Sequence, residues 1–349
     1  MKKIWSLDIP IFQGGMGIGV SLGNLAGAVA AEGGAGTIST AQIGFGEEDF
    51  EKNPLEANLR AIGKEVKKAR ALAKNRGAIG VNIMTVTKHY GEYVKEAVRQ
   101  KVDFIVSGAG LPMDLPALAK GSDVKLIPIV SSMRAASLIC RRWLKKENKI
   151  PDAIIIEGPK AGGHLGFSME MAKSGDYEKY KDEVKSIIDY IRTFGKEHDT
   201  YIPVITAGGY DSAEDLTEQL ALGADGIQMA TAFVTTEECD AHPAFKDAYI
   251  KCKKEDISIV KSPVGMPGRA IKNAFIERTM NERIPPQKCY GCIPVCKPAE
   301  TPYCITRALI NSVTGNLDEG LIFCGANAWK EERIKKVREV IQKVMPVTI

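Results

Sequence analysis

The sequence predicts an α/β fold, a (β/α)8 TIM barrel with a C-terminal cap region over the barrel mouth. Three observations lead there. Eight short apolar segments recur with room for a helix between each pair, the pattern of parallel strands covered on both faces. The residues that follow those segments are polar or glycine-rich, as expected where ligand-facing loops leave the C-terminal ends of barrel strands. Beyond Thr236 the strand–helix rhythm stops and a different region begins. A doubly wound open sheet is the runner-up, but it would gather ligand contacts at one crevice instead of marking every strand end.

In chain order, strands are expected at residues 9–12, 35–39, 79–84, 104–107, 126–130, 153–157, 203–207 and 226–229. Helices are expected between them at 22–32, 55–74, 90–100, 114–120, 133–146, 177–198 and 213–222. Asp211-Ser212 before the last of these is an N-cap signal and Gly223 after it a stop signal. The strand ends then read Gln13-Gly14-Gly15, Thr40, Asn82, Ser107-Gly108, Ser131-Ser132, Glu157, Gly208-Gly209 and Gln228-Met229-Ala230-Thr231. After the barrel (1–236), residues 237–326 read as a cap and substrate region. In it, Ser262-Pro263-Val264-Gly265-Met266-Pro267-Gly268-Arg269 reads as a loop leading to a helix over 270–280. Residues 327–349 carry a charged, amphipathic helix over 328–344 that returns to the barrel exterior.

Composition narrows the function. A chain of 349 residues that is 44% hydrophobic can bury a large core. Its net charge of +4 is spread over 47 basic and 43 acidic residues without a long single-sign block. That distribution makes no case for nucleic acid or a membrane surface, and leaves small-molecule chemistry. The opening Met1-Lys2-Lys3 runs into Asp8 and Pro10 instead of an apolar export segment, so a cytoplasmic location is expected. Eight cysteines in such a chain suggest free thiols or metal ligands in preference to a disulfide framework. Four of them, Cys289, Cys292, Cys296 and Cys304, are spaced Cys-x2-Cys-x3-Cys-x7-Cys. That spacing is compatible with an iron–sulfur cluster or zinc, and equally with free thiols.

The stretch richest in chemistry is Ile154 to Gly166, where an apolar run meets Glu157 and then Gly162-Gly163-His164. Alone, Gly-Gly-His is a tight turn with an incidental imidazole. At the end of a barrel strand it becomes a candidate active-site loop, because glycine admits a ligand close to the backbone and histidine changes charge near neutral pH. Gly208-Gly209 and Gln228 to Thr231 follow the last two strands, where barrel loops commonly cradle phosphate. Gly14-Gly15-Met16-Gly17 lacks the spacing of a dinucleotide fingerprint.

Five ordered stretches together resemble one family. Pro10 to Gly17, Gly80 to Met84, Glu157 to Gly166, Ala207-Gly208-Gly209 and Gly223 to Phe233 are similar to the nitronate monooxygenase (2-nitropropane dioxygenase) family of FMN-dependent TIM barrels. Its relatives include the FabK-type flavin enoyl-ACP reductases. The resemblance implies an FMN-dependent oxidoreductase that oxidises alkyl nitronates with O2. It implies FMN contacts at Gln13, Gly14, Asn82, Ser131, Glu157, Gly162, Gly163, Gly208, Gly209, Gln228, Met229, Ala230 and Thr231, and a substrate-facing catalytic His164. Glu157 stands where the family frequently has glutamine, Lys160 where it frequently has glutamate, and Ala230 where glycine is usual. A carboxyl at 157 implies altered hydrogen bonding at the flavin's pyrimidine edge. The alternatives are an NAD(P)H-dependent enoyl-thioester reductase and, from another class, a flavin-binding module without turnover. The oligomeric state is not legible.

Overall fold

The computed structural model describes residues 4–174 and 178–345. Met1-Lys2-Lys3 and Tyr177, the first residue of one expected helix, lie outside the described residues. The barrel is closed and parallel throughout. Its strands are β1 (Ile11–Gln13), β2 (Ala35–Ser39), β3 (Ala78–Met84), β4 (Phe104–Gly108), β5 (Lys125–Val130) and β6 (Ile154–Glu157). A short β7 (Gly163–His164) intervenes, and β8 (Val204–Ala207) and β9 (Gly226–Met229) complete the ring by pairing β9 with β1. The (β/α)8 expectation is met.

Burial explains why these segments are strands. β1, β2, β4 and β8 are buried along their whole length, which an apolar run on a doubly covered sheet requires. Inside the ring, Phe12 and Phe104 meet with centroids 5.9 Å apart, and Trp5 closes the N-terminal end 6.0 Å from Phe12. With Ala153, Ile155 and Ile205 these side chains form a solid floor. Space for a ligand is left only at the other end, where the strand-end loops lie.

Outside the ring, helix Pro54–Ala73 buries Ala57, Ala61, Ile62, Val66 and Ala69 at helical spacing. Helix Ala213–Leu222 begins at the expected signal: Ser212 Oγ accepts the Asp215 amide at 3.2 Å, Ser212 N donates in return to Asp215 Oδ2 at 3.0 Å, and Gly223 ends it.

Four expectations are corrected. The helix expected over 114–120 is a single turn, Leu115–Leu118. The segment read as a loop before residue 270 belongs to a hairpin, β10 (Ile257–Lys261) and β11 (Pro267–Ile271). The following helix starts later, at Ala274–Asn281, because Asn273 Oδ1 caps it by accepting Ile276 N at 3.0 Å. The terminal helix is confined to Val337–Val344, preceded by one 3-10 turn at Ala328–Lys330. Residues between them are held extended: Lys335 N donates to Thr235 O at 2.9 Å and Glu237 N to Lys335 O at 2.8 Å. Val337, Val340, Ile341 and Val344 pack on the barrel exterior with Leu25, Val29 and Leu216.

β11 also pairs antiparallel with β7, setting Gly268 opposite His164 and Arg269 opposite Gly163. The Gly-Gly-His stretch is thus the edge of a three-stranded sheet made with the cap. No helix among the described residues is long and apolar enough to cross a membrane.

Candidate active site

A cavity of about 230 Å³ opens where the barrel strands end. Each strand end contributes a wall: Gly14, Ala41, Asn82, Ala109, Ile129, Glu157, Ala207 and Gln228. The sequence-selected residues Gly14, Asn82, Glu157, Gly162, Gly163, His164, Gly208, Gly209, Gln228, Met229, Ala230 and Thr231 all line it. Two do not. Gln13 is fully buried beneath, donating to Gly14 O and accepting Thr37 N at 2.9 Å, so its amide is spent joining β1 to β2. Ser131 turns its hydroxyl to Gly166 O at 3.2 Å and steadies the loop after His164.

His164 is positioned by the cap as much as by the barrel. Its Nε2 lies 2.7 Å from Ser262 Oγ, and its ring meets Phe323 edge-on at 4.9 Å. Removal from water is the cause that lowers its pKa to about 4, so the imidazole is neutral at neutral pH. Ser262 Oγ also accepts Val264 N at 3.4 Å and keeps a second lone pair, so its contact with Nε2 holds the ring in place in either tautomer.

The loop ahead of His164 hangs from one buried guanidinium. Arg269, 3% exposed, donates from Nη1 to Pro159 O at 2.9 Å and to Ala161 O. A second cap segment ties the loops together. Ala326 N donates to Lys160 O at 3.1 Å, Asn327 Nδ2 to Gly209 O at 2.7 Å, and Gly325 N to Thr231 Oγ1 at 3.2 Å. The loops after β6, β8 and β9 therefore share one clasp. Sequence reasoning missed Ser262, Arg269, Phe323 and Asn327, which carry no local motif and reach the site only through the tertiary fold.

Two glycines show how close the backbones come. A Cβ on Gly162 would stand 2.7 Å from the Cys324 carbonyl group, well inside contact distance. Gly209 has φ 88°, which a side chain disfavours, and a Cβ there would lie 2.8 Å from the Lys160 Cβ.

Flavin mononucleotide fits what is present. The amides of Asn82 and Gln228 and the carboxyl of Glu157 face one cavity, beside a glycine-paired backbone suited to an anion. Cys289 is exposed, Cys292 packs against the cluster that holds Ile276 and Tyr303, and Cys304 packs against the cluster of Phe50 and Tyr290 as the N-cap of helix Ile305–Val313. Burial raises the thiol pKa of Cys292, Cys296 and Cys304, and neighbours among the four add to it: Cys304 and Cys296 at Cys292, Cys289 at Cys296, and Cys289 and Cys296 at Cys304. As placed, among the described residues no three His, Cys, Asp or Glu side chains form a group able to hold a metal ion.

Glu157 supplies a pH signature. Burial raises its carboxyl pKa from 4.5 to about 7. The native chain therefore holds a proton that the unfolded chain has shed between those values. The resulting stabilisation is complete below about 4.5 and is lost as pH rises through about 7. The melting midpoint of the protein, relative to Glu157→Gln, is expected to fall from about pH 5 to about pH 8. Parallel curves would show that the carboxyl is already hydrated.

The comparisons with known proteins agree with this geometry. A nitronate monooxygenase family model matches residues 1–346. A probable nitronate monooxygenase of Staphylococcus aureus (strain Newman) is 27% identical over 303 residues, covering 79% of each chain. FabK from Thermotoga maritima superposes with a TM-score of 0.73 at 25% identity, over 98% of this chain and 93% of its own. A nitroalkane oxidase from Streptomyces ansochromogenes has the same fold, with a TM-score of 0.70 at 19% identity over 98% and 96%. With its model matched nearly end to end, this chain belongs to the nitronate monooxygenase family.

Proposed function

We propose that the protein is an FMN-dependent oxidoreductase that oxidises alkyl nitronates with O2. The observation that carries this reading is a neutral, hydrogen-bonded His164 on the wall of a cavity with little positive charge. Among the described residues, Lys160 is the only Lys or Arg that lines it. A small anionic substrate needs one directed donor there, whereas an acidic carrier protein would call for a basic rim.

Asn82, Glu157 and Gln228 would hold the ring edge of FMN, and the backbone at Gly208-Gly209 and Met229 to Thr231 would hold its phosphate. Bound FMN supplies the electron transfer. The chain's own residues do the rest. Ser262 fixes the imidazole, and Phe323 limits its rotation. His164 then presents a ring N–H to the nitronate oxygen and orients the anion. A histidine held at about 4 is a weak base, which favours pre-formed nitronate over neutral nitroalkane as substrate.

A second reading, an NAD(P)H-dependent enoyl-thioester reductase, is favoured by a smaller cavity that extends the space beyond His164. Anaerobic mixing separates the two. Nitronate is expected to bleach the flavin. An unchanged flavin spectrum with nitronate, together with rapid bleaching by NADH or NADPH, would overturn the nitronate reading in favour of the reductase.

A further inference from the structure

The second cavity, about 60 Å³, shares Ile18, Ala41, Met84, His164 and Leu309 with the main one. The two adjoin, with His164 on the wall they share. The walls of the second come from the first turn of helix Pro54–Ala73, the loop after β3 and the cap: Leu55, Val86, Val264, Ile293 and Ile305. We propose that this side cavity is a subsite for an unbranched alkyl chain on the substrate, so that the enzyme prefers extended aliphatic substrates to the smallest ones. The assignment of the head group as a nitronate rests on the function proposed above.

The chemistry of the walls carries the proposal. No Lys, Arg, Asp or Glu lines the side cavity among the described residues. Asn58 at the back of the cavity is engaged within the wall. Asn58 donates to Gln42 Oε1 and to Tyr93 Oη, both at 2.9 Å, and accepts Gly44 N at 2.8 Å. A charged tail would lose its water there without a counter-ion, whereas methylene groups gain by burial.

The cavity is also preformed. Tyr290 stacks on Phe50 with centroids 5.5 Å apart and donates to Glu51 at 3.0 Å. Lys288 reaches the same carboxylate at 2.8 Å, and Lys88 N donates to Cys292 O at 3.0 Å. The cysteine-containing segment is thereby fastened over the barrel mouth as a roof. A roof held at several points gives a pocket of fixed width that admits a straight chain and excludes branching.

The test uses the flavin-loaded enzyme and straight-chain carboxylates from acetate to octanoate as inert planar anions, with the perturbed flavin absorbance as the readout. Each added methylene is expected to tighten binding about fourfold until the cavity is full. Ile293→Trp and Leu55→Trp, two plugs on different walls, are each expected to remove that dependence in variants that retain flavin and native circular dichroism. Equal affinity along the series in the unmodified enzyme would overturn the subsite, as would an undiminished gain in both folded plug variants. The titration requires no turnover. Failure of nitronate to reduce the flavin would therefore remove the head-group assignment while a chain-length gain still upheld the subsite.

Discussion

Replacing His164 with alanine is expected to lower kcat/KM for a nitronate by roughly 10²–10⁴-fold, with flavin content unchanged. The residue faces both cavities and is held by Ser262 at 2.7 Å, so its removal deletes a positioned donor. His164→Asn, which keeps a side-chain N–H, is expected to recover part of the loss if the ring acts as a donor. It would recover none if the ring acts as a base.

The pH dependence distinguishes this site from an ordinary histidine. Burial lowers the pKa to about 4 from 6.5. Between those values the unfolded chain binds a proton that the native chain refuses, so the contribution of His164 to stability falls as pH drops through that window and levels off below it. The stability of the enzyme relative to His164→Ala is expected to decline with acid across the same window, as read by urea unfolding. Loss of flavin in His164→Ala would instead make the histidine a structural support.

Arg269→Met is expected to lower the free energy of unfolding by about 3 kcal/mol or more and to weaken FMN binding at least about tenfold. The guanidinium is buried and donates to the carbonyls of Pro159 and Ala161. Methionine fills much of the volume but leaves both acceptors unpaired in the interior, at about 1–3 kcal/mol each. The loop that carries Gly162 and His164 would lose its suspension. Urea unfolding and flavin fluorescence titration measure the two effects. Native stability together with native affinity would show that the β7–β11 pairing alone holds the loop.

Much of the architecture was legible in the sequence because local physics and global fold agree there. The strand at 35–39 and the helix at 213–222 match the structure in full, since an apolar run and a Ser212/Gly223 pair of end signals each act within a few residues. The strand ends were legible for the same reason, and twelve of the selected residues meet in one cavity. Legibility failed where the partner is remote. The run Pro267–Ile271 has little strand character of its own and becomes β11 because it pairs with both β10 and β7. The spacing of Cys289, Cys292, Cys296 and Cys304 does not say what each packs on, and the fold sets Cys292 and Cys304 on adjoining clusters that share Leu309.

The sequence by itself determined the barrel, its ligand-facing end and the Gly162-Gly163-His164 stretch, because strand periodicity, helix caps and glycine turns are short-range properties of the chain. Only the tertiary structure decided what His164 is. Its neutrality, its bond to Ser262 and its place between two cavities arise from a cap about a hundred residues away in sequence, whose Ser262 lies at a separation of 98 residues. Desolvation and contact depend on which surfaces meet after folding, and no local pattern around residue 164 encodes them.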